Sequence, residues 1–551
     1  MIGAEALWQS LRSHDIDVIF GYPGGAVIPV YDVMPKSGIR HVLVRHEQAA
    51  AMAADGYARA TGLLGACIAT SGPGAMNLLC GLANAFLDSV PVLAITGQVP
   101  TGQLGRDAFQ ETDVFGATMP LTKHNYLLAR VADLPRVINE AVYLAQAGRK
   151  GPVLVDLPRD VAEAEVPEDV DTTPRLPGYR PRLDGHPAQL ARAADALASA
   201  RRPFILAGGG VKWAGASPWL RRLAEKMQVP VGSTLMGLGC FPADHPLYLG
   251  MVGMHGSVAA NRAVQECDVL LALGVRFSDR VTGKRDEFAS GAQLIHVDVD
   301  PTELGKNVPA HVPIVGDVGR VLRSLLNLVP ERRAGDWVEQ VASFRAEPAL
   351  DGMGVETVKA LARATSDLAR QDRLVLVTDV GQHQMWVAQH FPVYHPRTLL
   401  TSGGLGAMGY GLPAAVGAQI GCPDKMVVLV TGDGSFQINL QELATVKQEG
   451  LPLKIVLLDN SSLGMVLQWQ DMFYGRNRVA VSLTGPDYAL LAQAYGLSAW
   501  EVSEPSELEG ALGELLAHPG PGLVRCRVSP DEKVLPMVPA GQPLARIIVS
   551  W

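Results

Sequence analysis

No apolar run in this chain approaches the roughly 18 residues that a membrane-spanning helix needs. There is no basic tract either. The formal net charge is −8 over 551 residues, which disfavours nucleic acid and leaves no polybasic patch for a membrane surface. The six cysteines (Cys67, Cys80, Cys240, Cys267, Cys422 and Cys526) are scattered without a C-x-x-C pair and predict reduced, mostly buried thiols. Met1 leads directly into an amphipathic stretch, Ala4–Arg12, with no signal-peptide pattern. These absences predict a cytoplasmic protein. No short-period repeat is visible.

What is present is apolar and glycine-rich. Hydrophobic residues make up 48% and charged residues 19%, enough to bury large cores. The 58 glycines exceed the usual share of about 7% and suit many tight strand-to-helix turns. Apolar runs alternate with helical stretches from end to end, which predicts an α/β chain of parallel sheets flanked by helices. Residues 163–187, with Pro167, Pro174, Pro177, Pro181 and Pro187, read as a surface linker. Residues 329–352, polar around a short helix, read as a second connection. Three domains follow: 1–162, 187–330 and 355–551.

The most specific local pattern is Gly432-Asp433-Gly434-Ser435 followed by Asp459-Asn460. The apolar runs Met426–Thr431 and Lys454–Leu458 read as parallel strands, with a crossover helix at Gln441–Gln448 between them. Such a unit sets Asp433 and Asn460 side by side at one carboxyl edge. A carboxylate and an amide oxygen are hard ligands that suit Mg²⁺ sharing a diphosphate. The glycines let backbone N–H groups come close to phosphate. This pattern resembles the diphosphate-anchoring signature of thiamin diphosphate enzymes. The usual pattern ends in Asn-Asn, and here the first position is Asp459. The resemblance implies metal ligation by Asp433, Asn460 and the backbone carbonyl of Ser462.

In the first domain, Phe20–Ala26, Val42–Gln48, Thr70–Gly74 and Val92–Gln98 are strand ends followed by glycine turns or helix starts, and Asp107–Glu111 is a loop. Glu47 ends a strand before an alanine-rich helix, Ala49–Ala60, where its charge alone would favour the helix dipole. Together these segments resemble the pyrimidine-binding domain of the acetolactate synthase family. The resemblance implies that Glu47 is the catalytic carboxyl against the cofactor's aminopyrimidine, and that Gly25 and Gln110 line the reaction centre beside Phe109. It also implies that the first domain of one subunit faces the third domain of another, so the protein is a homodimer or homotetramer.

In the third domain the resemblance extends to Asp379–Trp386, Gly403–Pro413 and Leu463–Gln470. It implies thiamin diphosphate contacts by Gly381, Gln382, His383, Gly406, Met408, Asp433, Gly434, Ser435, Asn460, Gly464 and Met465, with Met408 propping the cofactor in a bent form. Trp469 and Met465 are implied to line the acceptor pocket, and the tail Val534–Gly541 to cover it. A lone Met or Trp is more often core filler.

The middle domain places Gly208-Gly209-Gly210 after a strand, a weak dinucleotide signal alone. Further turns occur at Gly250–Gly256, Gly274–Arg280 and His296–Asp300. The set resembles the FAD-binding domain of the biosynthetic synthases and implies flavin contacts by Arg149, Gly208, Gly209, Gly210, Met254, His255, Gly274, Arg276, Asp298 and Asp317. Arg280 matches the residue that holds the acceptor's carboxylate. Arg159 and Ser278 depart from the family's usual Lys and Asp.

The implied function is decarboxylation of pyruvate and condensation of the two-carbon fragment with pyruvate or 2-ketobutyrate. Thiamin diphosphate, Mg²⁺ and FAD are the implied cofactors, and a separate small regulatory subunit the implied partner. The alternative is an FAD-dependent pyruvate oxidase of the same architecture, against which Arg280 and Trp469 weigh. A glyoxylate carboligase would lack the Glu47 carboxyl. A nicotinamide dehydrogenase would leave Glu47, Asp433 and Asn460 without a role.

Overall fold

A computed structural model describes residues 1–345 and 351–551. The predicted second connection therefore lies partly outside the described residues. Its described part holds the helix Asp336–Ala342, whose Trp337 is buried against the middle domain and donates to the Pro203 carbonyl. The first linker is mostly exposed, yet it is pinned: Arg175 N–H donates to Glu140, and Asp317 N–H donates to the Leu183 carbonyl.

Three sheets of six strands form the frame, and all strand pairs within them are parallel. The first contains β1 (Val18–Tyr22), β2 (Arg40–Leu43), β3 (Gly65–Ala69), β4 (Val92–Gln98), β5 (His124–Leu127) and β6 (Val153–Pro158). The second contains β7 (Pro203–Ala207), β8 (Val231–Ser233), β9 (Tyr248–Met251), β10 (Val269–Leu273), β11 (Gln293–Asp298) and β12 (Val312–Val315). The third contains β13 (Leu374–Thr378), β14 (Leu399–Leu400), β15 (Met426–Gly432), β16 (Lys454–Asp459), β17 (Ser498–Val502) and β18 (Gly522–Arg527). Every residue of β4 and of β16 is buried. Helices cover both faces of a parallel sheet, so its central strands read as continuous apolar runs.

The strand orders are β2-β1-β3-β4-β6-β5, β12-β11-β10-β7-β8-β9 and β14-β13-β15-β16-β18-β17. The strand order reverses between β1 and β3, between β10 and β7, and between β13 and β15; the first and third sheets turn back again at their far edges, where β5 and β17 lie outside β6 and β18. Ligands of open α/β sheets bind in the crevice outside the strand ends at such a reversal. The glycine turns fall there. A Cβ on Gly24 would sit 2.6 Å from Thr70, and one on Gly208 would sit 2.1 Å from the Gly274 carbonyl.

The first and third domains share one core. The helices Glu47–Thr61 and Gly411–Gly421 meet backbone to backbone. A Cβ at Gly417 would lie 1.9 Å from the Ala53 carbonyl oxygen, so only glycine permits this approach. A buried polar network crosses the same seam. Arg59 binds Asp55 (2.5 Å) and Asp88 (2.9 Å), and Tyr410 Oη donates to Asp55 (2.8 Å).

All six cysteines are free; Cys80 is exposed and Cys422 half-buried, and the other four are buried as predicted. No helix among the described residues is long and apolar enough to cross a membrane.

Candidate active site at the strand ends

Asp433 follows directly on β15 and Asn460 directly on β16, and these strands are neighbours. Asp433 is buried, and burial together with the nearby Asp459 pushes its carboxyl up to about 7. It has no ion pair among the described residues, so its charge lacks a positive partner. A divalent cation fits that environment. The Asn460 amide donates to Gln382 Oε1 (3.2 Å), while its own Oδ1 accepts the Ser462 N–H (3.0 Å). A Cβ on Gly464 would collide with Gln382 and Asn460 at 2.2 and 2.4 Å, so the crowding there is set by a glycine.

β13 delivers the next group. Asp379 is buried and accepts from the N–H groups of Val380, Gly409 and Gly411 at 2.8–2.9 Å, which ties the β13 end to the loop carrying Gly406 and Met408. Burial raises this carboxyl to about 6. Gly381 has φ +150° and opens the helix Gln382–His390. The His383 ring is buried, and burial lowers its pKa to about 3, so it is neutral. Its Nε2 has no hydrogen-bond partner. A buried neutral imidazole with a spare N–H fits a diphosphate oxygen. Ser435 Oγ donates to the Val380 carbonyl (2.8 Å), locking the turn.

Glu47 is the first residue of the helix Glu47–Thr61, not the end of a strand as predicted. β2 stops at Leu43, and His46 caps the helix by accepting the Gln48 N–H. Glu47 is buried, 9% exposed, and Asn77 Nδ2 donates to its Oε2 (2.9 Å). The Gly74 position approaches its Oε1, where a Cβ would lie 3.2 Å away. Gly25 has open space around it, Phe109 is 88% exposed and Gln110 has φ +59°. Among the described residues no hydrogen bond joins this group to the set around Asp433.

A cavity of about 980 Å³ is walled by residues of all three domains. That is near the upper end of the ~300–1,000 Å³ range of cofactor pockets. Arg149, Gly209, Gly210, Met254, His255, Gly274, Arg276, Asp298 and Asp317 line it from the first and middle domains. Gly208 does not; it packs against the Gly274 carbonyl behind the wall. Gly381, Gly406, Met408, Met465, Trp469 and Arg280 line the other end. Glu47, Gly25, Phe109 and Gln110 are absent from its wall, as are Gln382, His383, Gly434, Ser435, Asn460, Ser462 and Gly464.

The groups in the wall suit a large anionic dinucleotide. Arg149 is held by Asp300 (3.2 Å) and Glu303 (2.7 Å), and Arg276 is half-buried. Burial raises Asp298 to about 6. Asp317 also caps the helix Val318–Leu328 by accepting the Arg320 N–H. His255 Nδ1 is buried without a partner. The Arg280 guanidinium carbon lies 5.7 Å from the Trp469 ring centre, with Asp279 3.5 Å from its Nη1. The tail closes one side: Val538 N–H donates to the Met254 carbonyl (2.7 Å), and Gln468 Nε2 donates to the Val534 carbonyl (3.1 Å).

Sequence reasoning missed several residues. Asp88 accepts the N–H groups of Gly403 (3.0 Å) and Gly404 (2.7 Å) and holds the cavity strap. Gln384 donates to Thr401 (2.7 Å) and to the Ser402 carbonyl (2.9 Å). Asn77 orients Glu47, which was predicted without it, and Asp379 lies in the matched segment Asp379–Trp386 without a role having been assigned to it. Asp379 had a signal, an Asp at a strand end before a glycine. Asp88 had none.

Three family models match the chain: the thiamine pyrophosphate enzyme N-terminal TPP binding domain over residues 1–117, the central domain over 190–325 and the C-terminal TPP binding domain over 379–526. The chain is similar over its whole length to the probable acetolactate synthase large subunit of Methanocaldococcus jannaschii, at 48% identity covering 100% of this chain and 95% of the relative. It is 47% identical to the acetolactate synthase isozyme 2 large subunit of Escherichia coli K12, with 98% of each chain covered. It is 45% identical to the acetolactate synthase large subunit of Lactococcus lactis, over 98% of this chain and 94% of the relative. With its three parallel-sheet domains and full-length likeness to these relatives, the chain belongs to the acetolactate synthase large-subunit family of thiamin diphosphate enzymes.

Proposed function

We propose that the protein decarboxylates pyruvate and joins the two-carbon fragment to a second 2-keto acid. Pyruvate as acceptor gives 2-acetolactate, and 2-ketobutyrate gives 2-aceto-2-hydroxybutyrate. The observation that carries this reading is the buried Asp433–Asn460 edge at the ends of β15 and β16, beside a cavity whose wall in the same domain includes Gly381, Met408, Met465 and Trp469, with Arg280 facing Trp469. Thiamin diphosphate, when bound, supplies the carbon nucleophile and the electron sink for decarboxylation.

The chain's own residues do the rest. Asp433, Asn460 and the Ser462 carbonyl would hold Mg²⁺, and His383 Nε2 would donate to the diphosphate. Glu47 presents one carboxyl oriented by Asn77, and moves a proton at the pyrimidine ring nitrogen. The Arg280 guanidinium grips the acceptor's carboxylate with two donors, and the Trp469 face bounds its alkyl group. FAD fits the remaining cavity, where Arg149, Arg276 and Asp298 would hold it; the net reaction needs no electron transfer.

Glu47, Gln110 and Phe109 stand apart from the cavity in one chain. A second copy, bringing its own first domain to this third domain, would complete each site. The relatives are named as large subunits, which supports a separate small subunit as partner. The same names favour the synthase over the oxidase reading.

Product analysis tests the proposal. Protein supplied with thiamin diphosphate, Mg²⁺ and FAD is expected to convert pyruvate to 2-acetolactate, and to form the second acid when 2-ketobutyrate is added. Acetaldehyde or acetate as the only product would overturn it.

A further inference from the structure

The end of β16 carries two consecutive polar residues, and the metal reading uses only the second. Asp459 is buried, 6% exposed, and its two oxygens have separate tasks. Oδ1 accepts from Ser461 N–H (3.0 Å) and Ser461 Oγ (3.3 Å). Oδ2 accepts from Arg525 Nε (2.8 Å) and Nη2 (2.7 Å). Arg525 comes from the neighbouring strand β18, and its Nη1 is held by Glu501 of β17 (2.7 Å). A three-strand relay therefore fixes the Asp459 carboxylate.

Ser461 is where this matters. Its φ is +51°, a left-handed conformation that non-glycine residues seldom adopt without support. The residue sits between the Asn460 amide and the Ser462 carbonyl, and its reversal sets the direction of both. The Asn460 Oδ1 bond to the Ser462 N–H tightens the same turn. A lone carboxylate would be costly to bury at this depth, so Arg525 makes it tolerable.

We infer that Asp459 is a positioning residue for the metal site: paired with Arg525, its carboxylate holds the left-handed Ser461 turn that aims Asn460 and Ser462 at the cation. This rests on the Mg²⁺ reading above. The two residues act as one unit. An amide at 459 keeps an acceptor for the Ser461 N–H, whereas an alanine keeps none.

The test is Mg²⁺ affinity, read by calorimetry with thiamin diphosphate present and without substrate. Removing a group that orients a metal ligand typically costs about 10–100-fold in affinity. Asp459→Ala is expected to weaken Mg²⁺ binding by that order, and Asp459→Asn to recover most of it. Binding by Asp459→Ala within twofold of the unmodified protein overturns the inference. Equal weakening in the Ala and Asn variants also overturns it, because that would be a charge effect and not a held turn. Should Asp459→Ala not fold, Arg525→Lys decides, since it keeps the charge and loses the two-donor grip. Weaker Mg²⁺ binding then supports the inference, and unchanged binding refutes it. Failure of the unmodified protein to bind Mg²⁺ would instead remove the metal reading itself.

Discussion

Asn77 Nδ2 lies 2.9 Å from Glu47 Oε2, so one oxygen of this buried carboxyl is committed to orientation and the other faces the Gly74 turn. A single positioned carboxyl is what proton movement at a pyrimidine nitrogen requires. Glu47→Gln is expected to keep cofactor affinity and to lose about 10²–10⁴-fold in turnover. Asn77→Ala should cost less, about tenfold, since it removes orientation only. Steady-state kinetics at saturating cofactor would check both. Near-normal turnover of Glu47→Gln would remove the residue from the chemistry.

Acceptor choice should follow the Arg280 and Trp469 pair. The two acceptors differ by one methylene, a difference worth about 1–3 kcal/mol in an apolar pocket. Trp469→Leu is expected to lower the preference for 2-ketobutyrate while sparing 2-acetolactate formation. Arg280→Lys should weaken both condensations, with free acetaldehyde rising. Competition between the two acids, read as a product ratio, measures this directly.

A pH effect is expected from Asp156 on β6. Its oxygens accept from Thr96 Oγ1 (2.7 Å) and Gln98 Nε2 (3.0 Å), and burial pushes its pKa up to about 7. A carboxyl raised in the folded state contributes stability that is present at low pH and lost as pH climbs toward about 7. A tenfold change in proton affinity is worth about 1.4 kcal/mol. Asp156→Asn lacks this dependence. Its stability relative to the unmodified protein should therefore rise by a few kcal/mol between about pH 4 and pH 8. Denaturant midpoints at both pH values would show it, and a constant difference would contradict it.

The seam between the first and third domains should be fragile to loss of charge pairing. Arg59 lies between two buried carboxylates, Asp55 and Asp88. Arg59→Met is expected to cost about 3–5 kcal/mol, because it leaves buried charge unpaired. Thermal or urea unfolding would measure the loss.

Much of the frame was readable locally. The run Val92–Gln98 forms β4 residue for residue, because a strand buried on both faces leaves an unbroken apolar signature. Asp433 and Asn460 could be placed together because both follow neighbouring parallel strands in one crossover unit. Glu47 was displaced by three residues of irregular chain, since Val44–His46 are apolar and polar in a way that suits either a strand or a cap. The Arg59–Asp88 pair and the hold of Asp88 on Gly403 and Gly404 were illegible. Their partners lie 29 and more than 300 positions apart, and nothing in local spacing signals such a contact. The absence of Glu47 from the cavity wall is likewise a tertiary property that no local pattern signals.

A carbon and oxygen balance tests most directly whether the protein makes a carbon–carbon bond without net redox change. Pyruvate alone, with protein, thiamin diphosphate, Mg²⁺ and FAD, should disappear two for every CO₂ released and every 2-acetolactate formed, with no stoichiometric oxygen uptake and no need for an electron acceptor. One pyruvate consumed per CO₂, with matching reduction of oxygen or an acceptor, would contradict the account and install the oxidase reading in its place.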